Sequence, residues 1–202
     1  MSTNVLRDLR DLRIQVVHPP DDDGRSLVEH LRRIGCTVDA NWPMPDGPSP
    51  NAQLVMLVVD YEQRDLIRRF VKSEGQASAA LIAIVDYENS ATLQVVLECG
   101  ALAVVEKPIR PFGLLTNVIL ARTLWLERQE MHRKLRKLEN KIAGVQKIQR
   151  AKAILMQSQA LNEEDAYKTI RQQAMTKRIS MEEMANAIIN ANELLTARPR
   201  AT

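Results

Sequence analysis

The chain of 202 residues is 45% apolar and 26% charged, with 3% aromatics and a net charge of +3. Those proportions are ordinary for a globular protein, long enough for one medium domain and one small one, and no run of about eighteen apolar residues offers a membrane span. The charge is uneven: Met1–Ala121 holds 12 basic against 16 acidic residues and Arg122–Thr202 holds 16 against 9, so a polyanion is expected on the second part.

Met1–Arg13 is too polar for a signal peptide, which points to a cytoplasmic protein. From there to about Arg110, short apolar runs alternate with amphipathic stretches. Ile14–Val17 is a β-branched run ended by Pro19 and Pro20. Ser26–Ile34 has Leu27, Val28, Leu31 and Ile34 at helical spacing, with Gly35 as its stop. Thr37–Ala40 reads as a short strand before a loop over Pro43–Pro50. Leu54–Val59 is a continuous apolar run, which suits a strand buried on both faces of a parallel sheet. A helix marked by Leu66, Ile67, Phe70 and Val71 follows, then a strand at Ala80–Val85, a helix at Ala91–Leu97 and a strand at Leu102–Val105. Strand–helix alternation of this kind predicts a doubly wound, flavodoxin-like α/β domain with five parallel strands. Cys36 and Cys99 stand alone in apolar surroundings and read as buried thiols, and His18, His30 and His132 show no ligand spacing.

The order of signals, with Gly100-Ala101 followed by Val104-Val105-Glu106-Lys107-Pro108, resembles the receiver domain of two-component response regulators. That resemblance implies a pair of metal-binding acids after the first strand, where this chain has His18-Pro19; Asp21, Asp22 and Asp23 lie further into the loop. It implies a phospho-accepting aspartate ending the third strand, where Val58 stands and Asp60 is two residues late. The hydroxyl place after the fourth strand holds Val85 or Asp86. Mg²⁺ needs well-placed carboxylates, and phosphoryl transfer loses its main charge stabilisation without it. The reading is therefore a pseudo-receiver with no phosphoacceptor, no metal and no other cofactor, Lys107 serving as a structural ion-pair partner and Asp60 being the one candidate for a phosphorylation-dependent alternative.

From about Leu114 to Met156 there is no proline, and Gly144 is the one glycine. Read as helix, some forty residues would span roughly 60 Å. Leu124, Met131, Leu138 and Val145 recur every seven residues, and Ala121, Leu135 and Ile142 fall on the complementary seam, interrupted by Arg128. This is an a/d heptad pattern, and it predicts a homodimer through a parallel coiled coil in which Lys134 would pair with Glu139 and Glu127 with His132 across the seam. The basic residues Arg133, Lys134, Arg136 and Lys137 are interleaved with that seam rather than placed beyond its end, which is poor support for a DNA-reading basic fork.

Beyond Val145 the apolar face changes to Ile148, Ala151, Ile154 and Leu155. Asn162 can cap a second helix with Glu163, Glu164 and Asp165 in its first turn and Ala166, Ile170 and Ala174 on one face. Ser180-Met181-Glu182-Glu183 is a capping box opening a third helix, whose apolar face reads Met184, Ala185, Ile188, Ile189 and Leu195. The division expected is 1–112 for the receiver-like domain, 113–146 for the coil and 147–202 for a compact three-helix bundle.

Arg150-Ala151-Lys152-Ala153-Ile154-Leu155-Met156, Glu164-Asp165-Ala166-Tyr167, Ile170-Arg171-Gln172-Gln173-Ala174-Met175 and Met184-Ala185 together resemble the ANTAR domain, the RNA-binding module of transcription antiterminators. Ala153 stands where that family often has glycine. Degenerate receiver, coil and ANTAR domain in this order resemble the amidase-operon antitermination regulators. The resemblance implies binding to hairpins in a leader mRNA, and control by a ligand-sensing partner like a periplasmic binding protein, released by an amide or similar small molecule. With few aromatics, base stacking on a sheet is not expected. The candidate RNA contacts are instead Arg171, Arg150, Lys152, Lys147, Lys168, Lys177 and Arg178, with Tyr167 to stack on an unpaired base. A coil that binds DNA or another protein is the competing interpretation. Enzyme activity is not expected, for want of a nucleophile–base pair or a phosphate-cradling glycine loop.

Overall fold

The computed structural model describes residues 9–73, 79–86 and 90–196. The chain divides into two compact units, Met1–Glu130 and Met131–Thr202.

In the first unit, strands β1 (Arg13–Val17), β2 (Thr37–Asn41), β3 (Leu54–Val58), β4 (Ala80–Val85) and β5 (Ala103–Glu106) form one parallel sheet in the order β2-β1-β3-β4-β5. The helices are α1 (Asp22–Ile34), α2 (Arg64–Lys72), α3 (Ser90–Glu98) and α4 (Pro111–Gln159). The doubly wound, flavodoxin-like sheet expected from the apolar runs is the observed one. Strand residues alternate between two cores, as the period of two requires. Ile14, Val16, Leu54, Met56, Ile82 and Ile84 pack with Leu27 and Leu31 of α1 and with Leu114, Val118 and Ala121 of α4. Val55, Leu57, Leu81 and Ala83 pack on the other face with Ile67 and Phe70 of α2 and Val95 and Val96 of α3. Cys36 belongs to the first core and Cys99 to the second, so two free thiols lie on opposite sides of the sheet, each pushed up by burial.

One crossover has no helix. Between β2 and β3 the chain passes through residues 42–53 as a loop, and Gln15 on β1 is buried on the face below it. The Gln15 side chain satisfies its polar atoms there: Nε2 donates to Asn41 Oδ1 at 2.9 Å, and Oε1 accepts from the Ser49 backbone N–H at 2.8 Å. A buried amide left unpaired would cost about 1–3 kcal/mol, so the two bonds hold loop and strand together.

Helix α4 is 49 residues long, and the boundary between the units falls within it. In the first unit, Leu114, Val118 and Ala121 recur at spacings of four and three and lie against the sheet. Arg122 stacks over Trp125 at 4.9 Å and donates to the Gln53 carbonyl at 3.4 Å. Ala121, expected on the coil seam, is thus committed to the sheet, because the same helical face that leads into the heptads first has a sheet to cover.

In the second unit, α4 is followed by α5 (Glu163–Lys177) and α6 (Met181–Thr196). Ala151 and Leu155 of α4, Ala166, Ile170 and Ala174 of α5, and Met184, Ala185 and Ile189 of α6 make its core. Four of those positions are alanine, which lets the helix axes approach closely. Asn162 caps α5, its Oδ1 accepting from the Asp165 N–H at 2.8 Å. The capping box is formed as well: Ser180 Oγ accepts from the Glu183 N–H at 3.1 Å, and Glu183 Oε2 accepts from the Ser180 N–H at 2.8 Å. The N–H and hydroxyl of Ser180 hold the Glu183 carboxyl below the usual range. Leu195, expected on the buried face of α6, is instead 87% exposed. The buried core of α6 ends at Ile189.

Candidate nucleic-acid interface

The two places that the sequence marks for chemistry are the carboxyl edge of the sheet and the exposed face of the bundle. At the sheet edge, His18 follows β1 and is buried, with Nδ1 2.8 Å from the Pro19 carbonyl and 3.5 Å from Asp21 Oδ1. Asp21 is the N-cap of α1, its Oδ1 accepting from the Gly24 N–H at 2.8 Å. Burial works to raise the Asp21 carboxyl, but that bond and the neighbouring charges of His18 and Lys107 bring it below its ordinary value. Lys107, after β5, has a side chain only 10% exposed, with Nζ 3.7 Å from Asp86 and 4.0 Å from Asp23. A fixed ammonium therefore sits among the nearby carboxylates and balances their charge from within the fold. Asp60 points its carboxylate at its own turn, Oδ1 accepting from the Glu62 N–H at 3.1 Å. No ion pair joins it to Lys107 among the described residues, and none of their His, Cys, Asp and Glu side chains form a group arranged to hold a metal ion.

In the bundle, the candidate contacts separate into three sets. Tyr167, Arg171 and Met175 recur every four residues along α5, about 100° round the helix from Ala166, Ile170 and Ala174, and all three are exposed. Arg171 makes no ion pair among the described residues, so its guanidinium is free to bond a ligand. Lys168 lies beside this stripe and donates to Glu164 Oε1 at 2.7 Å. An exposed pair of this kind is worth little and yields readily to a phosphate. Met175 belongs to the stripe by spacing, yet its apolar side chain gave no charge signal to single it out.

The second set closes the helix. Arg178 is the C-cap of α5 in the left-handed conformation (φ 56°), with its N–H on the Ala174 and Met175 carbonyls. Lys177, six residues after Arg171, lies about 120° round the helix from it and cannot share its face. Both are exposed and unpaired among the described residues, as is Lys147 on α4.

The third set is engaged inside the bundle. Arg150 Nη2 donates to Glu193 Oε1 of α6 at 2.7 Å, with both side chains more than half exposed. Lys152 is different. Its side chain is 9% exposed and its Nζ donates to Glu163 Oε1, at the first residue of α5, at 2.5 Å. That bond holds the Glu163 carboxyl below its ordinary value. A lysine so enclosed braces α4 against α5, and the expectation of a phosphate contact for Lys152 gives way to that geometry.

The dimerisation candidates lie on one stretch of α4. Every residue from Met131 to Ala143 is exposed, and Leu124, Met131, Leu135, Leu138, Ile142 and Val145 are 39–70% exposed. Six apolar side chains at heptad spacing are thus left largely uncovered among the described residues.

A family model described as AmiR, N-terminal, matches residues 12–122, and an ANTAR domain model matches residues 136–189. The aliphatic amidase regulator of Pseudomonas aeruginosa is 29% identical over 190 residues, covering 94% of this chain and 97% of that protein. Transcriptional regulatory protein PdtaR of Mycobacterium tuberculosis is 23% identical over 136 residues, covering 67% of this chain and 66% of its own. Among solved structures, NtrX from Brucella abortus matches with a TM-score of 0.50 and 18% identity, over 63% of this chain and 29% of that one, a likeness of fold. No described helix is long and apolar enough to cross a membrane.

Proposed function

We infer how this chain acts from what it belongs to, the amidase-operon type of ANTAR-domain antitermination regulators. Its bundle binds hairpins in a leader mRNA and keeps a terminator hairpin from forming, so that transcription continues. The observation carrying this reading is the exposed Tyr167–Arg171–Met175 stripe, with an unpaired guanidinium between an aromatic ring and an apolar side chain. Sequence-specific RNA reading targets unpaired loop bases, which stack on aromatic rings and hydrogen-bond along their edges. Arg171 supplies a planar donor fork for a base edge or a phosphate, and Tyr167 a stacking surface. Lys147, Arg150, Lys168, Lys177 and Arg178 position the backbone, while Lys152 supports the fold.

The chain acts in the cytoplasm as a homodimer through the heptad seam. The two bundles then engage two hairpins, and the linked sites bind more tightly than either alone. The working division remains receiver-like domain (1–112), coil (113–146) and RNA-binding bundle (147–202). Control comes from a ligand-sensing partner resembling a periplasmic binding protein, which sequesters the regulator until an amide or similar small molecule arrives. Support for partner control over phosphorylation is the sheet edge itself, where His18 and Pro19 take the acid positions and Lys107 offsets part of the charge of Asp23 and Asp86.

Gel shift against the leader transcript of the neighbouring operon tests the RNA reading. Arg171→Ala should weaken binding by about 1–3 kcal/mol and blunt sequence preference, while Lys177→Ala weakens all RNAs alike. A folded Arg171→Ala dimer that binds as wild type does would remove Arg171 from the site. Preference of the wild-type protein for duplex DNA would refute the antitermination reading.

A further inference from the structure

The bundle accounts for the basic residues near its own helices but leaves a denser set on α4 unexplained. Between Met131 and Arg150 the chain carries Arg133, Lys134, Arg136, Lys137, Lys141, Lys147 and Arg150, with Glu139 as the one carboxylate. At about 100° per residue, Arg133, Arg136, Lys137, Asn140, Gly144 and Lys147 fall within one band of the helix surface; Gly144 is buried with the Glu182 side chain of α6 against it, so the open part of the band is Arg133 to Asn140. Leu135, Leu138 and Ile142 fall on the side opposite. Arg133, Arg136 and Lys137, which look interleaved with the apolar seam along the sequence, are therefore separated from it around the helix, while Lys134 flanks the seam. All four cations of the band are exposed, and none makes an ion pair among the described residues.

We propose that this band, centred on Arg133, Arg136 and Lys137, is a second RNA-binding surface that tracks the phosphate backbone of the hairpin's paired stem, while the bundle reads its loop. The inference rests on the RNA-binding reading of the bundle. Three features favour a polyanion over a docked protein. The band has no apolar side chain, whereas protein interfaces are built around apolar and aromatic anchors and depleted in lysine. Arg133, Arg136 and Lys137 are unpaired among the described residues, away from the Glu182 carboxylate at Gly144, which is the condition for counterion release on binding a nucleic acid. From Arg133 to Asn140 it runs open for two turns, roughly 10 Å, along a single helix, the form of a short rail for successive phosphates. Paired RNA suits such a rail, because A-form stems are recognised by shape and backbone and the band carries nothing suited to reading bases.

The test uses the full-length dimer and two synthetic hairpins with the loop of the neighbouring operon's leader, one on a stem of about five base pairs and one on about twelve. Arg133→Gln/Arg136→Gln/Lys137→Gln keeps strong helix formers at exposed positions, and circular dichroism with sedimentation confirms folded dimers. Wild type should prefer the long stem by about tenfold or more. The triple variant should lose that preference, lower the slope of log affinity against log salt by about 2–3, and match wild type on the short stem. The charge-conserving Arg133→Lys/Arg136→Lys/Lys137→Arg should restore the slope. Wild-type affinity and slope in the Gln variant on the long stem would overturn the second surface while leaving the loop-reading bundle intact. The same RNA result accompanied by loss of an acidic protein partner would reassign the band to that partner. Failure of wild type to bind either hairpin would overturn the RNA-binding reading and this inference with it.

Discussion

Replacing Leu135 and Leu138 together by aspartate should convert the proposed dimer to monomers, and the exposures set the size of the effect. In the isolated chain Leu135 is 51% and Leu138 57% exposed, so the helix itself already covers nearly half of each. Full burial of a leucine side chain contributes about 1.5–3 kcal/mol, which leaves about 0.8–1.7 kcal/mol for each to gain from a partner. Two positions on two chains amount to about 3–7 kcal/mol, or about two to five decades in the dissociation constant. Carboxylates facing each other across the seam add repulsion, so this is a lower bound. Sedimentation equilibrium at micromolar concentration reads the outcome directly, with circular dichroism to check that the helix persists. A variant that keeps the dimer mass would mean that the seam lies elsewhere and that these leucines cover something other than a second copy.

The receiver-like sheet should be indifferent to phosphodonors: incubation with acetyl phosphate and Mg²⁺ should add no covalent phosphate by intact-mass measurement. Labelling that disappears in Asp60→Asn would restore Asp60 as an acceptor. Gly144→Ala should raise the melting temperature of the folded dimer, although a Cβ there would meet the Glu182 carboxylate in the present rotamer. Glu182 is a flexible, exposed side chain that can swing aside, while alanine in a helix interior is favoured over glycine by about 0.5–1 kcal/mol; a lower melting temperature would mean that Glu182 is held in place.

How far the sequence carried this depends on whether a feature is local. The sheet was legible because Leu54–Val58 and Ala80–Val85 are continuous apolar runs, and a strand buried on both faces leaves no other pattern. The caps at Asn162 and Ser180 were legible because their bonding partners lie three residues away. Gln15 was not: its two partners are 26 and 34 residues distant, and nothing in a β-branched run announces that one polar residue will anchor a helix-free crossover. The pairing of Lys152 was hidden for the same reason. A basic motif residue reads as a surface charge until folding brings Glu163 over it. Ala121 kept the heptad spacing yet belongs to the sheet, since periodicity gives the face of a helix but not which surface that face meets.

In the proposed reading, the sheet edge is that of a receiver fold that works without a phosphate. An acidic edge with no cation would repel itself, and burying His18 next to Pro19 removes the acid positions that a metal would use. Lys107, held at 3.7 Å from Asp86 and 4.0 Å from Asp23, supplies a permanent positive charge that balances those carboxylates. With that charge fixed in the chain, no ligand at this edge is needed to stabilise one state over another. On that reading the fold is switched by something that binds its free and RNA-bound forms with different affinity. In the proposed reading that differential binding comes from the partner protein, and the exposed coil and bundle are the surfaces it has to compete for.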